Sequence, residues 1–171
     1  MRSIDNNGLI LCDMQSKLFE KSRMLNCSSE IFIRRFMNSN IVKTFDSGHI
    51  LEDTITIENI FEYIEEEYGE SNYGTVKYSG NELDWIGYIY RYFCYTYQIS
   101  SRQVYNIIKP KELRNLYEPY HTLANDQVIE RILEAKKLIE NGECTVQDAA
   151  YIVGFNNMSF YYDTLKKSPL S

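Results

Sequence analysis

Between Ser79 and Gln98 the chain reads SGNELDWIGYIYRYFCYTYQ, and its apolar residues return at steps of three and four. Leu83, Ile86, Tyr90, Phe93 and Tyr97 fall on one stripe, and Trp85, Ile89, Tyr92 and Thr96 on a second beside it, which is helical periodicity. Ser79 with Glu82 three residues on has the spacing of a capping box, in which side chain and backbone satisfy two free N–H groups at a helix start. Tyr88 and Tyr95 widen the covered arc. A helix this aromatic on nearly all sides is a buried central helix or one that lends a face to a partner. Its Tyr88, Tyr92 and Tyr95 edge is the expected partner surface, because tyrosine suits the line where core meets water.

The same patterning lays out the remaining elements. Met14–Leu25 reads as a first helix with Leu18 and Phe19 inward. Ser28 or Ser29 caps a second, carrying Ile31, Phe32, Phe36 and Met37, which gives way to a polar Asn38-Ser39-Asn40 interruption before Ile41, Val42 and Phe45. Residues 48–56 form a connector or a short strand. An acidic helix follows over Ile57–Tyr68, with Ile60, Phe61 and Ile64 inward and Gly69 at its C-terminal cap. After the loop 70–78 and the aromatic helix, Ser100 and Gln103 repeat the capping box, and Lys109-Pro110 breaks the short helix they start. Residues 111–117 form another short helix that Pro119 ends, leaving Glu118–Leu123 as a hinge loop. From Asn125 the pattern becomes regular: Val128, Ile129, Ile132, Leu133, Ala135, Leu138 and Ile139 mark about four helical turns, closed by Asn141-Gly142. Thr145 and Asp148 then start a short helix carrying Val146, Ala149, Ala150, Ile152 and Val153. Gly154 and Phe155 make a turn, and a last helix runs from Asn156 or Asn157 to about Lys167. The expected fold is all-α: a helical bundle over residues 1–122, followed over 123–171 by a linker helix and a helix-turn-helix-like unit.

Charge sharpens this picture more than bulk composition does. The net charge of −6 is unevenly distributed. Residues 46–84 hold eleven acids and one base, Lys77, whereas residues 1–45 hold seven bases and four acids. An acidic block repels phosphate backbones and suits a basic protein partner, with Glu62, Glu65 and Glu66 of the acidic helix as its contact residues. The longest apolar runs fall far short of the roughly 20 residues of a membrane span, and the N-terminus lacks the features of a secretory signal, so the protein is expected in the cytoplasm. Cys12, Cys27, Cys94 and Cys144 form no C-x-x-C pair, and His49 and His121 stand far apart. Neither a metal site nor a cofactor is therefore expected. No nucleophile elbow, phosphate-binding glycine loop or H-E-x-x-H is present, and Glu65, Glu66 and Glu67 splay around one helix. The expectation is a binding protein and not an enzyme.

A helix, a short turn containing glycine and a second helix make the helix-turn-helix shape, with small residues where the helices touch and polar side chains offered to a DNA groove. Arg131–Ile139 (RILEAKKLI) and Cys144–Pro169 (CTVQDAAYIVGFNNMSFYYDTLKKSP) resemble the linker helix and second helix-turn-helix of AraC/XylS-type transcription regulators. Arg131, Ala135, Leu138 and Ile139 match the linker; Val146, Asp148, Ala150, Val153, Gly154, Phe155, Ser159, Phe160, Lys166 and Lys167 match the second unit. The resemblance covers under a quarter of the chain. It implies operator DNA as a partner and Asn156, Asn157, Ser159, Tyr162, Lys166 and Lys167 as DNA-binding residues. Asp163 stands where the family carries an arginine, the family's further segment after the lysines is missing, and no first helix-turn-helix is seen upstream. Two lysines neutralise few phosphates, so DNA binding would call for a homodimer.

The N-terminal two-thirds more loosely resembles uncharacterised antitoxin-like proteins of bacterial toxin–antitoxin operons, through CSSEIFIRRFM (Cys27–Met37), WIGYIYRYFCYTY (Trp85–Tyr97) and PYHTL (Pro119–Leu123). That resemblance implies a toxin partner, of the ADP-ribosyltransferase type, neutralised by the helical body. The alternative is an interaction module or a stand-alone transcription regulator with no toxin partner.

Overall fold

A computed structural model describes residues 1–143, and among these every regular element is a helix and none is a strand. It divides into two compact units, Met1–Arg114 and Asn115–Ser171. The expected elements from Thr145 onward, including the helix-turn-helix-like unit, lie outside the described residues.

The first unit is organised on the aromatic helix α5 (Gly80–Tyr97), which has the anticipated capping box: Glu82 N–H donates to Ser79 Oγ and Ser79 N–H to the Glu82 carboxylate. α5 lies antiparallel against α1 (Asn6–Lys21), their pairing fixed along its length by Gly8 under the Tyr95 ring, Gln15 at Gly87 and Ser16 at Asp84. Two glycines make this approach possible. A Cβ on Gly87 would stand 2.7 Å from the Gln15 carbonyl oxygen and 2.9 Å from Phe19, and one on Gly8 would stand 2.6 Å from the Tyr95 ring. α1 starts eight residues earlier than its apolar pattern indicates, because Asp5 accepts from the Gly8 N–H and caps a turn of Asn6, Asn7 and Gly8 that has little helix propensity of its own. It ends at Lys21, and Ser22–Met24 continues as a single tight 3-10 turn.

Beneath this pair sit α2 (Ser29–Asn38), capped by Ser28, and α3 (Val42–Ser47), separated by the polar interruption, with Gly48 in the left-handed conformation after α3. Their phenylalanines interlock with α1: Phe19 meets Phe32 and Phe36 edge to face at 5.6 and 5.5 Å, and Phe36 meets Phe45 in the same way at 5.4 Å. Such T-shaped pairs add stabilisation beyond area burial. The connector after α3 contains a 3-10 turn, His49–Glu52, and no strand. The acidic helix α4 (Ile57–Tyr68) has its expected bounds, with Thr56 and Asn59 forming a capping box and Gly69 at its end. It buries Ile60 and Ile64 and sets Phe61 against Phe32 at 5.7 Å. Residues 70–78 then run extended along the start of α2. Ser28 and Ser29 N–H groups donate to the Tyr73 and Val76 carbonyls, and the Lys77 ammonium donates to the Leu25 and Cys27 carbonyls.

After α5, α6 (Ser101–Ile107) begins at the Ser100–Gln103 capping box, and α7 (Pro110–Asn115) begins at the expected break. The second unit carries α8 (Tyr117–Tyr120) and α9 (Asn125–Glu140). Pro119 sits inside α8 instead of ending a helix, because at the third position of a helical turn its missing N–H has no intrahelical partner to lose. The expected hinge loop is thereby reduced to the turn after Tyr120. α9 buries Val128, Ile129 and Ile132, leaves Leu133, Ala135, Leu138 and Ile139 half-buried, and closes on Gly142 at φ 66°. No helix among the described residues is long and apolar enough to cross a membrane.

Candidate functional site

The sequence-predicted partner residues occupy two separate places in the first unit. Tyr88, Tyr92 and Tyr95 are half-buried along one edge of α5, against the N-terminal half of α1. Tyr88 and Tyr92 stack at 6.5 Å. Tyr95 is held more tightly: its hydroxyl donates to Asp5 at 2.5 Å, and the Arg2 guanidinium lies 4.0 Å above its ring. These contacts have electrostatic consequences. The Tyr95 bond, then the Gly8 amide, hold the Asp5 carboxyl below its usual range, while donating its proton to Asp5 raises the Tyr95 phenol. Burial first, and the neighbouring Cys12 and Asp13 next, push Tyr88 up to about 12.

Glu62, Glu65 and Glu66 are exposed on α4, and no ion pair among the described residues reaches them. Glu58 has a long contact, 3.7 Å, with Lys21, and Glu67 accepts from the Asn40 N–H at 2.8 Å. The carboxylates splay as their consecutive positions require. Glu66 and Glu67 line a cleft of about 450 Å³ with Asn40, Ile41, Thr44 and Tyr63, which is 47 % exposed. Glu65 faces a smaller recess of about 170 Å³ beside Leu25, Phe32 and Arg35. Arg35 donates to the Gly69 carbonyl at 2.7 Å and lies over Tyr68.

The predicted DNA-binding residues Asn156, Asn157, Ser159, Tyr162, Lys166 and Lys167 lie outside the described residues. His121 is a hydrogen-bonded turn residue: its Nδ1 is 2.8 Å from the Tyr117 carbonyl oxygen, and the two rings stack at 4.6 Å. A carbonyl can only accept, so Nδ1 carries the hydrogen. Among the described residues no three metal-ligating side chains come together. Cys12, Cys27 and Cys94 are buried free thiols, and burial pushes Cys12 up to about 12 and Cys94 up to about 11. At neutral pH these two thiols are therefore protonated and unreactive.

Sequence reasoning missed the largest polar assembly of the unit. Arg91, on α5, is 1 % exposed, and its guanidinium is divided among three elements. Nε donates to Gln15 Oε1 on α1 at 2.8 Å, Nη1 to Asp46 Oδ1 on α3 at 2.7 Å, and Nη2 to Ser101 Oγ on α6 at 2.7 Å. Asp46 also accepts from the Ser101 amide and hydroxyl, and Gln15 donates to the Gly87 carbonyl. The Phe45 ring packs under the guanidinium at 5.5 Å. The only sequence signal was position: Gly87, Arg91 and Cys94 continue the inward rows of a helix whose other inward residues are apolar.

No protein-family model, curated protein or solved structure matches the chain.

Proposed function

We propose that the protein is an antitoxin-like bacterial binding protein that neutralises a partner toxin through its helical body, 1–122, and binds operator DNA through the helix-turn-helix of residues 123–171. The observation that carries the partner half is the α4 surface. Glu62, Glu65 and Glu66 are exposed and unpaired by any base among the described residues, and Glu66 shares a cleft with the exposed Tyr63. Exposed carboxylates and an exposed aromatic ring on one helix suit arginine and lysine side chains, through charge-assisted hydrogen bonds and cation–π contact. The half-buried tyrosines of α5 form a second surface, in character with the aromatic anchors of interfaces. The DNA half rests on the resemblance of Cys144–Pro169 to the AraC/XylS-type unit and on Lys166 and Lys167 within it.

The test is co-purification with the product of the neighbouring gene in its operon, repeated with Glu62→Lys, Glu65→Lys and Glu66→Lys combined. Retention by the parent chain and loss by the triple variant is the expected result. Undiminished retention by the triple variant would remove α4 as the contact surface. For the DNA half, retardation of the operon's own promoter fragment should vanish on Lys166→Glu with Lys167→Glu. Asp163, an acid where the family carries arginine, favours a second reading, an interaction module with no DNA contact. No retardation even with the partner present would establish that reading in place of the first.

A further inference from the structure

A cleft of about 290 Å³ opens beside the Arg91 assembly, lined by Phe45, Asp46, Arg91 and Cys94 on one side and by Arg2, Tyr95, Gln98, Ile99 and Ser100 on the other. We infer that it binds a small monocarboxylate with an apolar or aromatic body. Its floor is electrically neutral, because Arg91 and Asp46 form an ion pair at 2.7 Å with 1 % and 19 % of their side chains exposed. The cation of the rim is Arg2, whose Nε is fixed to the Tyr95 carbonyl at 2.9 Å, whose face is stacked on the Tyr95 ring, and which feels the nearby Asp5 carboxylate without forming an ion pair with it. Both anchors leave its two terminal nitrogens with no partner among the described residues, a guanidinium fork already oriented for a carboxylate.

Gln98 supplies the second reason. It is the one non-glycine residue with positive φ among the described residues, at 55°, in the left-handed conformation that ends α5. Glycine normally fills such a position, since a side chain there costs roughly 1 kcal/mol. The retained side chain lines the cleft, and its amide has no hydrogen-bond partner among the described residues. A carboxylate seated at Arg2 and Gln98 would lay its apolar body on Phe45 and Ile99. The Asp46 carboxylate in the same cleft disfavours a dianion such as phosphate, and the volume lies at the lower edge of the roughly 300–1,000 Å³ of drug-sized sites, which selects a small ligand.

The test uses the full chain and fluorine NMR of 4-fluorobenzoate, with the isosteric but uncharged 4-fluorobenzamide as control. The carboxylate should broaden on adding protein and recover on adding excess benzoate, and the amide should bind at least about tenfold more weakly. Arg2→Gln, at an exposed site outside the buried assembly, should lower carboxylate affinity about tenfold, the worth of one charge-assisted pair. Gln98→Gly removes the amide at a position where glycine is conformationally preferred, so it should weaken binding about threefold with no loss in melting temperature. Absence of broadening at millimolar probe, equal binding of the benzamide, or unchanged affinity in Arg2→Gln would each overturn the inference.

Discussion

Replacing Arg91 by methionine keeps most of the side-chain volume and removes the charge from the centre of the first unit. Three hydrogen bonds of 2.7–2.8 Å are lost at once, and their acceptors, Gln15, Asp46 and Ser101, lie on three different elements. Removing one partner of a buried ion pair typically costs about 3–5 kcal/mol. Asp46 keeps its two donors on Ser101 and is 19 % exposed, so water relieves part of its charge, and the expected loss is near the lower end, about 3 kcal/mol. That is a large share of the roughly 5–15 kcal/mol of a whole domain. Urea unfolding followed by circular dichroism should show the midpoint falling by about 1–3 M, given m values of about 1–3 kcal/mol/M. Asp46→Asn and the double variant complete a thermodynamic cycle in which the coupling should exceed about 1.5 kcal/mol. A midpoint unchanged in Arg91→Met, or strict additivity of the two substitutions, would refute the view that this assembly ties α1, α3, α5 and α6 together.

Two further outcomes follow from the α1–α5 seam. Gly87→Ala gains up to about 1 kcal/mol of helix propensity but drives a methyl group to 2.7 Å from the Gln15 carbonyl oxygen, a backbone atom that cannot swing aside. The net effect should be a destabilisation of roughly 1–2 kcal/mol, read as a lowered melting temperature; parent-like melting would show that the two helices can separate without cost. The N-terminal capping contact should also titrate. Because Tyr95 and the Gly8 amide depress the Asp5 carboxyl in the folded chain, the contact contributes above the unfolded value near 3.9 and is lost as pH falls through the lower folded value. NMR signals of the Gly8 amide and Tyr95 ring should shift together in that acid window and stay flat in Asp5→Asn. A flat parent profile would show that Asp5 does not cap α1 in solution.

How far the sequence alone reaches can be judged element by element. Apolar periodicity and capping chemistry are local, so α4, α5, α6 and α9 were legible without coordinates, with the capping boxes of α5 and α6 and the closing glycines of α4 and α9, whereas the Thr56–Asn59 box of α4 was not. α1 was legible only in part, because the turn of Asn6, Asn7 and Gly8 forms through one Asp5 side chain and through its packing on Tyr95. Pro119 reads as a stop because proline breaks helices in mid-course, and only its place in the first turn of α8 shows that its missing N–H costs nothing there. The exposure of Glu62, Glu65 and Glu66 was legible, since carboxylates with no partner stay in water. The Arg91 assembly was not. An arginine's default place is the surface, and the residues that make its burial tolerable come from positions 15, 46 and 101, which nothing in the local pattern links. The same holds for the cleft beside it, where Arg2 and Gln98 meet only because the N-terminal segment lies across the end of α5. Which helices form is written in short-range pattern; which charges are buried, and against what, depends on long-range packing that only the tertiary structure decides.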